Sequence, residues 1–254
     1  MTPLLLVHGG GCGAWCWERM LPHLESGAVA VDLPPRTVRG RKATEADVPE
    51  LSTLTLADFA TSVLADADAA GYERFVLVGH SLGGLTISEV ARRVPDRVAA
   101  LVYVSCMVPP EGGSSVDALP DGVREYARTA LAEAMAGGPN PIGGLDDLMA
   151  REMFCNDMDE EQTRFVLDHI GTEVAAVMAE AISRQGVPPT TPKTYVKLLR
   201  DQSLPPNHQD ILIANLQASP GGSVDVVELD AGHMAMVSRP RELAEILDRV
   251  AKAA

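Results

Sequence analysis

Cysteine is scarce in this chain and none of it is paired by spacing. Its 254 residues hold four, Cys12, Cys16, Cys106 and Cys155, with no Cys-x-x-Cys among them. That removes the usual mark of a disulfide framework or a thiol redox centre. Cys12 and Cys16 stand near His8, but no second cluster of ligand-type residues accompanies them. No metal is therefore expected, and the thiols read as reduced packing residues of a cytoplasmic protein. Positive charge is also short: 21 Lys and Arg stand against 35 Asp and Glu, a formal net charge of −14 at pH 7. Such a balance repels phosphate backbones and anionic lipid, which argues against nucleic acid and membrane surfaces as partners. Long apolar runs are missing as well. The run at residues 3–7 ends at His8-Gly9, too short for a signal-peptide core or a membrane span, so neither is expected. Internal repeats and low-complexity segments are absent too.

Apolar residues make up 46% of the chain, enough for a sizeable core. The length suits one large α/β domain, or a core carrying an inserted subdomain. Strand-like runs at 4–7, 28–31, 75–78 and 98–104 alternate with helical spacing at 15–24, 56–70 and 85–94; residues 36–51 are polar and loop-like. The alternation then stops. Between 109 and 191 only helical patterns occur, near 122–136, 145–153, 159–169 and 172–184, broken by clusters such as Gly137-Gly138-Pro139. It resumes with a strand at 194–199, a helix at 207–217, a strand at 224–229 and a last helix from about 239. Repeated βα units predict a mostly parallel sheet of about six strands with helices on both faces. The core is then 1–108 with 192–254, and 109–191 is an inserted helical lid.

Function in such sheets gathers beyond the carboxyl ends of the strands. There the chain carries Gly79-His80-Ser81-Leu82-Gly83, between the strand at 75–78 and a helix. A Gly-x-Ser-x-Gly at a strand-to-helix junction is a nucleophile elbow, a strained turn that holds the serine hydroxyl clear of the sheet. A serine needs a base to take its proton, and the base needs an acid to fix its tautomer and balance its charge. Of the six histidines, His233 follows the last strand through the short loop Asp230-Ala231-Gly232, where the base is expected. Asp201, just after the strand at 194–199, is the expected acid; Asp210, Asp225 and Asp230 are rivals. The oxyanion needs two backbone N–H donors. Leu82, at a helix N-terminus, supplies one. Gly10, in the His8-Gly9-Gly10-Gly11 loop after the first strand, supplies the other. His8 is read as holding that loop, with direct proton transfer as its alternative. A competing reading exists: Gly9-x-Gly11-x-x-Ala14, followed by Asp32 at the end of the second strand, matches a dinucleotide fingerprint in form. The bulky Trp15-Cys16-Trp17 that follows, and the unexplained elbow, weigh against it, and no cofactor is expected.

With these residues in place the chain resembles the α/β-hydrolase family, in particular its branch of methyl esterases and hydroxynitrile lyases. The matching stretches are His8-Gly9 with Gly13-Ala14-Trp15-Cys16-Trp17, Gly79-His80-Ser81-Leu82-Gly83-Gly84, Asp201, and Gly232-His233-Met234-Ala235-Met236 with Ser238-Arg239-Pro240. The lid matches weakly, around Phe154-Cys155-Asn156-Asp157. Lyases of the branch place a lysine after the catalytic histidine and a threonine after the first-strand histidine. Met234 and Gly9 stand at those positions here, and His80 precedes the serine as in the esterases. The resemblance therefore implies carboxylic ester hydrolysis through an acyl-enzyme on Ser81. Gly232 departs from an aspartate common in the branch, and the loop after His8 is richer in glycine.

The lid is rich in methionine (Met135, Met149, Met153, Met158 and Met178), with Met107 at its root. Methionines make adaptable walls. Gly9, Met107, Phe154 and Met234 are the expected pocket residues. No arginine is placed to grip a carboxylate, so a small neutral ester, apolar or aromatic, is the expected substrate. A cofactor-free lyase or cyclase, or a non-hydrolytic receptor on the same fold, are the alternatives.

Overall fold

A computed structural model describes residues 1–34, 46, 48–51, 53–136, 147–171, 176–219 and 221–254. Six strands form one sheet in the order β2-β1-β3-β4-β5-β6. They are β1 (Leu4–Val7), β2 (Ala28–Val31), β3 (Phe75–His80), β4 (Val98–Val104), β5 (Lys193–Leu198) and β6 (Asp225–Leu229). Every pairing is parallel. Parallel strands need covered faces, and β1, β3 and β4 are buried at every residue.

Alternation along each strand divides the core into two layers. On one face Leu4, Leu6, Val76 and Val78 pack with Trp17, Met20 and the C-terminal helix Pro240–Ala253 through Leu243 and Leu247. On the other, Leu5, Val7, Phe75 and Leu77 pack with helices Leu56–Ala69, Gly83–Arg93 and Pro206–Gln217. The chain passes from β1 outward to β2, then back across to β3 on the other side of β1. In sheets of this kind such a reversal marks the place, here the carboxyl ends of β1 and β3, where ligands bind. Val7 is in register with Gly79, so the residues after β1 lie beside those after β3.

Two expected helices differ. Over 15–24 the chain forms separate 3-10 turns, Ala14–Trp17 and Leu21–His23. Pro22 has no N–H to bond the carbonyl of Glu18, which stops a continuous helix, and all four residues of the first turn are buried, leaving no polar face. Of the pattern at 172–184, residues 172–175 lie outside the described ones, and the helix that remains is the single turn Ala176–Ala179. Most of the loop expected at 36–51, and the cluster Gly137-Gly138-Pro139, also lie outside them; Val48–Leu51 is one helical turn. Between β4 and β5 the described residues hold no strand, and the helices Asp121–Met135, Asp147–Phe154 and Glu160–His169 lie there.

Candidate active site

Ser81 is the first residue past β3 and has φ +52°, a left-handed conformation that non-glycine residues rarely adopt. The turn is clamped by the next strand: Ser81 N–H donates to Val104 O (3.2 Å) and Met107 N–H to Ser81 O (2.9 Å). Space explains the flanking glycines. A Cβ on Gly79 would lie 3.1 Å from the Gly83 carbonyl, and one on Gly83 would lie 2.8 Å from the carbonyl oxygens of Val7 and His8. Gly9 abuts Ser81 itself, since its Cβ would stand 2.6 Å from Ser81 Cβ.

His233 stands beyond β6, just before the one-turn helix Ala235–Ser238. Its Nδ1 lies 2.7 Å from Asp201 Oδ2, and both residues are buried. A carboxylate only accepts, so Nδ1 carries a hydrogen, and a neutral ring of this tautomer has its lone pair at Nε2. Nε2 is buried and makes no hydrogen bond, so it is not bonded to Ser81 Oγ in this structure. Among the described residues Asp201 accepts four hydrogen bonds: His233 and Ser105 Oγ (2.6 Å) on Oδ2, and the N–H groups of Ser203 and Leu204 (2.8 Å each) on Oδ1. Burial alone would raise its carboxyl, but His233 and these donors outweigh that and hold it below its ordinary range. The rival carboxylates meet other groups. Asp210 pairs with Lys197, Asp230 with Arg200, and Asp225 opens the edge strand β6, exposed.

His80 is the second ring at the base. Its Nε2–H donates to the carbonyl of His233 at 2.9 Å, and the rings lie 4.6 Å apart. Burial, then the nearness of His233, push it down to about 3, so it is neutral at ordinary pH. His8 accepts from Leu33 N–H at Nε2 (3.1 Å) and donates from Nδ1 to Gly9 O (2.8 Å), which fixes its tautomer and ties the loop after β1. Asp32, the acidic residue of the formal dinucleotide fingerprint, accepts Ala14 N–H at 2.7 Å and braces the same loop. No helix of the fingerprint's kind opens there, only the turn Ala14–Trp17.

Gly10 and Leu82 are half-buried, and the backbone N–H of each has no hydrogen-bond partner among the described residues. Gly11, at φ +66°, is held from the insertion by Gly171 N–H to its carbonyl at 2.7 Å. Of the expected pocket residues, Phe154 lies with its ring 5.4 Å from that of His233. Met107 is buried beside the serine turn, and Met234 is fully buried in the hydrophobic core. All four cysteines are free and buried. Among the described residues no group of three or more His, Cys, Asp or Glu is placed to hold a metal, and no helix is long and apolar enough to cross a membrane.

Three contacts escape the sequence reading. Ser105 bonds Asp201 and sits at φ +40° right after β4, a strand-end position that the same rule flags for Ser81. Asn156 Nδ2 donates to Arg200 O at 2.8 Å. Asp157, its side chain fully buried, lies 3.8 Å from Arg200 Nη2. A Cβ on Gly232 would fall 2.5 Å from Asp157 Oδ1, so the carboxylate fills the space that glycine leaves free.

A profile described as the alpha/beta hydrolase family matches residues 4–246. The chain is 30% identical over 262 residues to the probable esterase PIR7A of Oryza sativa subsp. indica, covering 97% of this chain and 95% of that one. It is 26% identical over 273 residues to norfluorocurarine synthase 1 of Strychnos nux-vomica, covering 97% and 94%. Among solved structures, a pyrethroid hydrolase from Sphingobium faniae JZ-2 superposes with a TM-score of 0.75 at 26% identity, covering 99% of this chain and 98% of that one.

Proposed function

Since the chain belongs to the alpha/beta hydrolase family, we propose that it is a serine-dependent carboxylic ester hydrolase acting on a small neutral ester. The observation that carries the reading is the buried Asp201–His233 pair, 2.7 Å apart, at the sheet end where Ser81 occupies its strained turn. Similarity to a probable esterase and to a pyrethroid hydrolase supports ester chemistry.

In this mechanism Ser81 Oγ attacks the ester carbonyl carbon while its proton passes to His233 Nε2. In structures without substrate such contacts are often long or poorly aligned, and they tighten when substrate arrives. Asp201 stabilises the imidazolium. The tetrahedral oxygen takes the free N–H groups of Gly10 and Leu82, whose removal in such sites typically costs on the order of a hundredfold or more in rate. Collapse expels the alcohol, which takes the proton from His233. Water then attacks the acyl-Ser81 carbonyl with His233 taking its proton, the acyl C–Oγ bond breaks to release the carboxylic acid, and His233 returns the proton to Ser81 Oγ. Phe154 and Met107 supply apolar surface, and the helices of the insertion at 109–191 act as the lid. Two arginines are already engaged, Arg200 with Asp157 and Asp230 and Arg19 over the Phe165 ring, which supports a neutral substrate.

Hydrolysis of paired neutral and anionic aryl esters tests the reading, with Ser81→Ala alongside. Neutral esters are expected to be the better substrates, and Ser81→Ala to lose at least about a thousandfold in kcat. Preference for the anionic partner, or an active Ser81→Ala, contradicts it. The relative named a synthase favours a second reading, a non-hydrolytic reaction at the same residues. Products that lack an added water identify it.

A further inference from the structure

We propose that Ser105 is a positioning residue for the acid–base pair: its hydroxyl shares the charge of Asp201 on the oxygen that faces His233, and so sets the pH at which the imidazole can act. This rests on the triad reading above. Ser105 follows β4, is completely buried, and holds φ +40° although it is not glycine. Its N–H continues the sheet to Val196 O at 3.0 Å, so the strain is not relieved by leaving the ladder. A buried, strained residue persists where the surroundings impose it, and such residues gather at functional sites.

The division of labour around the carboxylate defines what the hydroxyl does. Oδ1 takes two backbone N–H groups, Ser203 and Leu204, at 2.8 Å each. Those two donors fix the orientation of Asp201 without any help from Ser105. Oδ2 takes the His233 ring at 2.7 Å and the Ser105 hydroxyl at 2.6 Å. The serine therefore competes with the imidazole for the same lone pairs. A donor on that oxygen stabilises the carboxylate and weakens its pull on the imidazolium, which then releases its proton at lower pH. Among the described residues His80 and Tyr195 also interact with Asp201, and the Tyr195 hydroxyl in turn meets Ser105 and Cys106. Burial keeps each of them neutral: His80 is pushed down, and the Tyr195 and Cys106 groups are pushed up. Arg200, Asp230 and Asp157 flank the His233 loop and are the same in every variant considered.

The test is the pH profile of kcat and KM from pH 5 to 9 on 4-nitrophenyl acetate, for the wild type, Ser105→Ala and Ser105→Gly. Alanine removes the hydroxyl and keeps the strain; glycine removes both, which protects the experiment against a variant that fails to fold. Both variants are expected to keep the plateau kcat within a few-fold of the wild type, because Ser203 and Leu204 still hold Asp201 in place. In both, the acid limb is expected to move to higher pH by roughly half a unit. KM should stay put, because Ser105 is buried behind Asp201. An acid limb that stays where it is overturns the proposal, whether activity is kept or lost. So does a Ser105→Gly enzyme with the wild-type profile, which would assign the effect to backbone strain. Ser81→Ala, run in parallel, separates the two readings: if it stays fully active, the triad itself is wrong, whatever the Ser105 variants do.

Discussion

His80 shows how much one buried side chain can impose. It donates to the carbonyl of His233 at 2.9 Å and is buried. Unfolded, the ring takes a proton near pH 6.5; folded, it resists until about 3. Between those values the unfolded chain binds one proton more than the folded one, so stability falls as pH falls. The slope is about 1.4 kcal/mol per pH unit, and it vanishes above the upper value. Asp201 acts in a different window. Its carboxyl is lowered, so its stabilisation is complete above the ordinary 3.8 and is lost only at lower pH. His80→Gln keeps an N–H donor for the His233 carbonyl and removes the titration. Urea unfolding from pH 4.5 to 7 should show the wild type losing stability on the acid side with the variant markedly flatter. Parallel decline of the two proteins would contradict the account.

At the scale of elements, the junction of β3 with helix Gly83–Arg93 is set by close approach. A Cβ on Gly84 would lie 2.5 Å from Met107 O and 2.8 Å from Cys106 Cβ. Alanine is the better helix former by about 1 kcal/mol, but overpacking against backbone costs about 1–3 kcal/mol, so the clash decides the sign. Gly84→Ala is expected to lower the thermal midpoint. Gly122→Ala, in helix Asp121–Met135 with nothing within 4 Å of its Cβ, is expected to be neutral or slightly stabilising. A Gly84→Ala protein that melts higher than the wild type would contradict this. Elements of this kind were legible in the sequence: the strands β1 to β4 are short runs dominated by apolar residues, and the Gly-x-Ser-x-Gly spacing reports its own tight turn. The turns Ala14–Trp17 and Leu21–His23 were not, because apolar residues at helical intervals look alike in an amphipathic helix and in a wholly buried loop. The bond from Ser105 to Asp201 escaped for a different reason. It depends on β4 and β5 being neighbours in register, Val104 beside Val196, and no local pattern encodes that.

Across the whole molecule, the segment between β4 and β5 touches both loops that frame Ser81. Gly171 N–H holds the Gly11 carbonyl at 2.7 Å on the side of the first strand. On the side of the last, Asn156 holds the Arg200 carbonyl, and Gln162 Nε2 donates to Val237 O at 3.2 Å. Arg200 adds its own bond to Asp230 O at 2.8 Å and stands next to Asp201 in the chain. The insertion thus braces the loops after β1, β5 and β6 together, over sequence separations that no motif spans. The positions of Ser81, Asp201 and His233 at strand ends could be read in advance; this bracing could not, since it arises only when the sheet order is set. What the whole arrangement claims is that His233 makes the Ser81 hydroxyl nucleophilic. Treatment with phenylmethylsulfonyl fluoride, followed by peptide mass mapping, tests it most directly. The expected result is a single sulfonyl adduct on Ser81, formed at a rate that falls at least about a hundredfold in His233→Ala. An unlabelled Ser81 in an enzyme that still hydrolyses esters, or equal labelling without the imidazole, would contradict it.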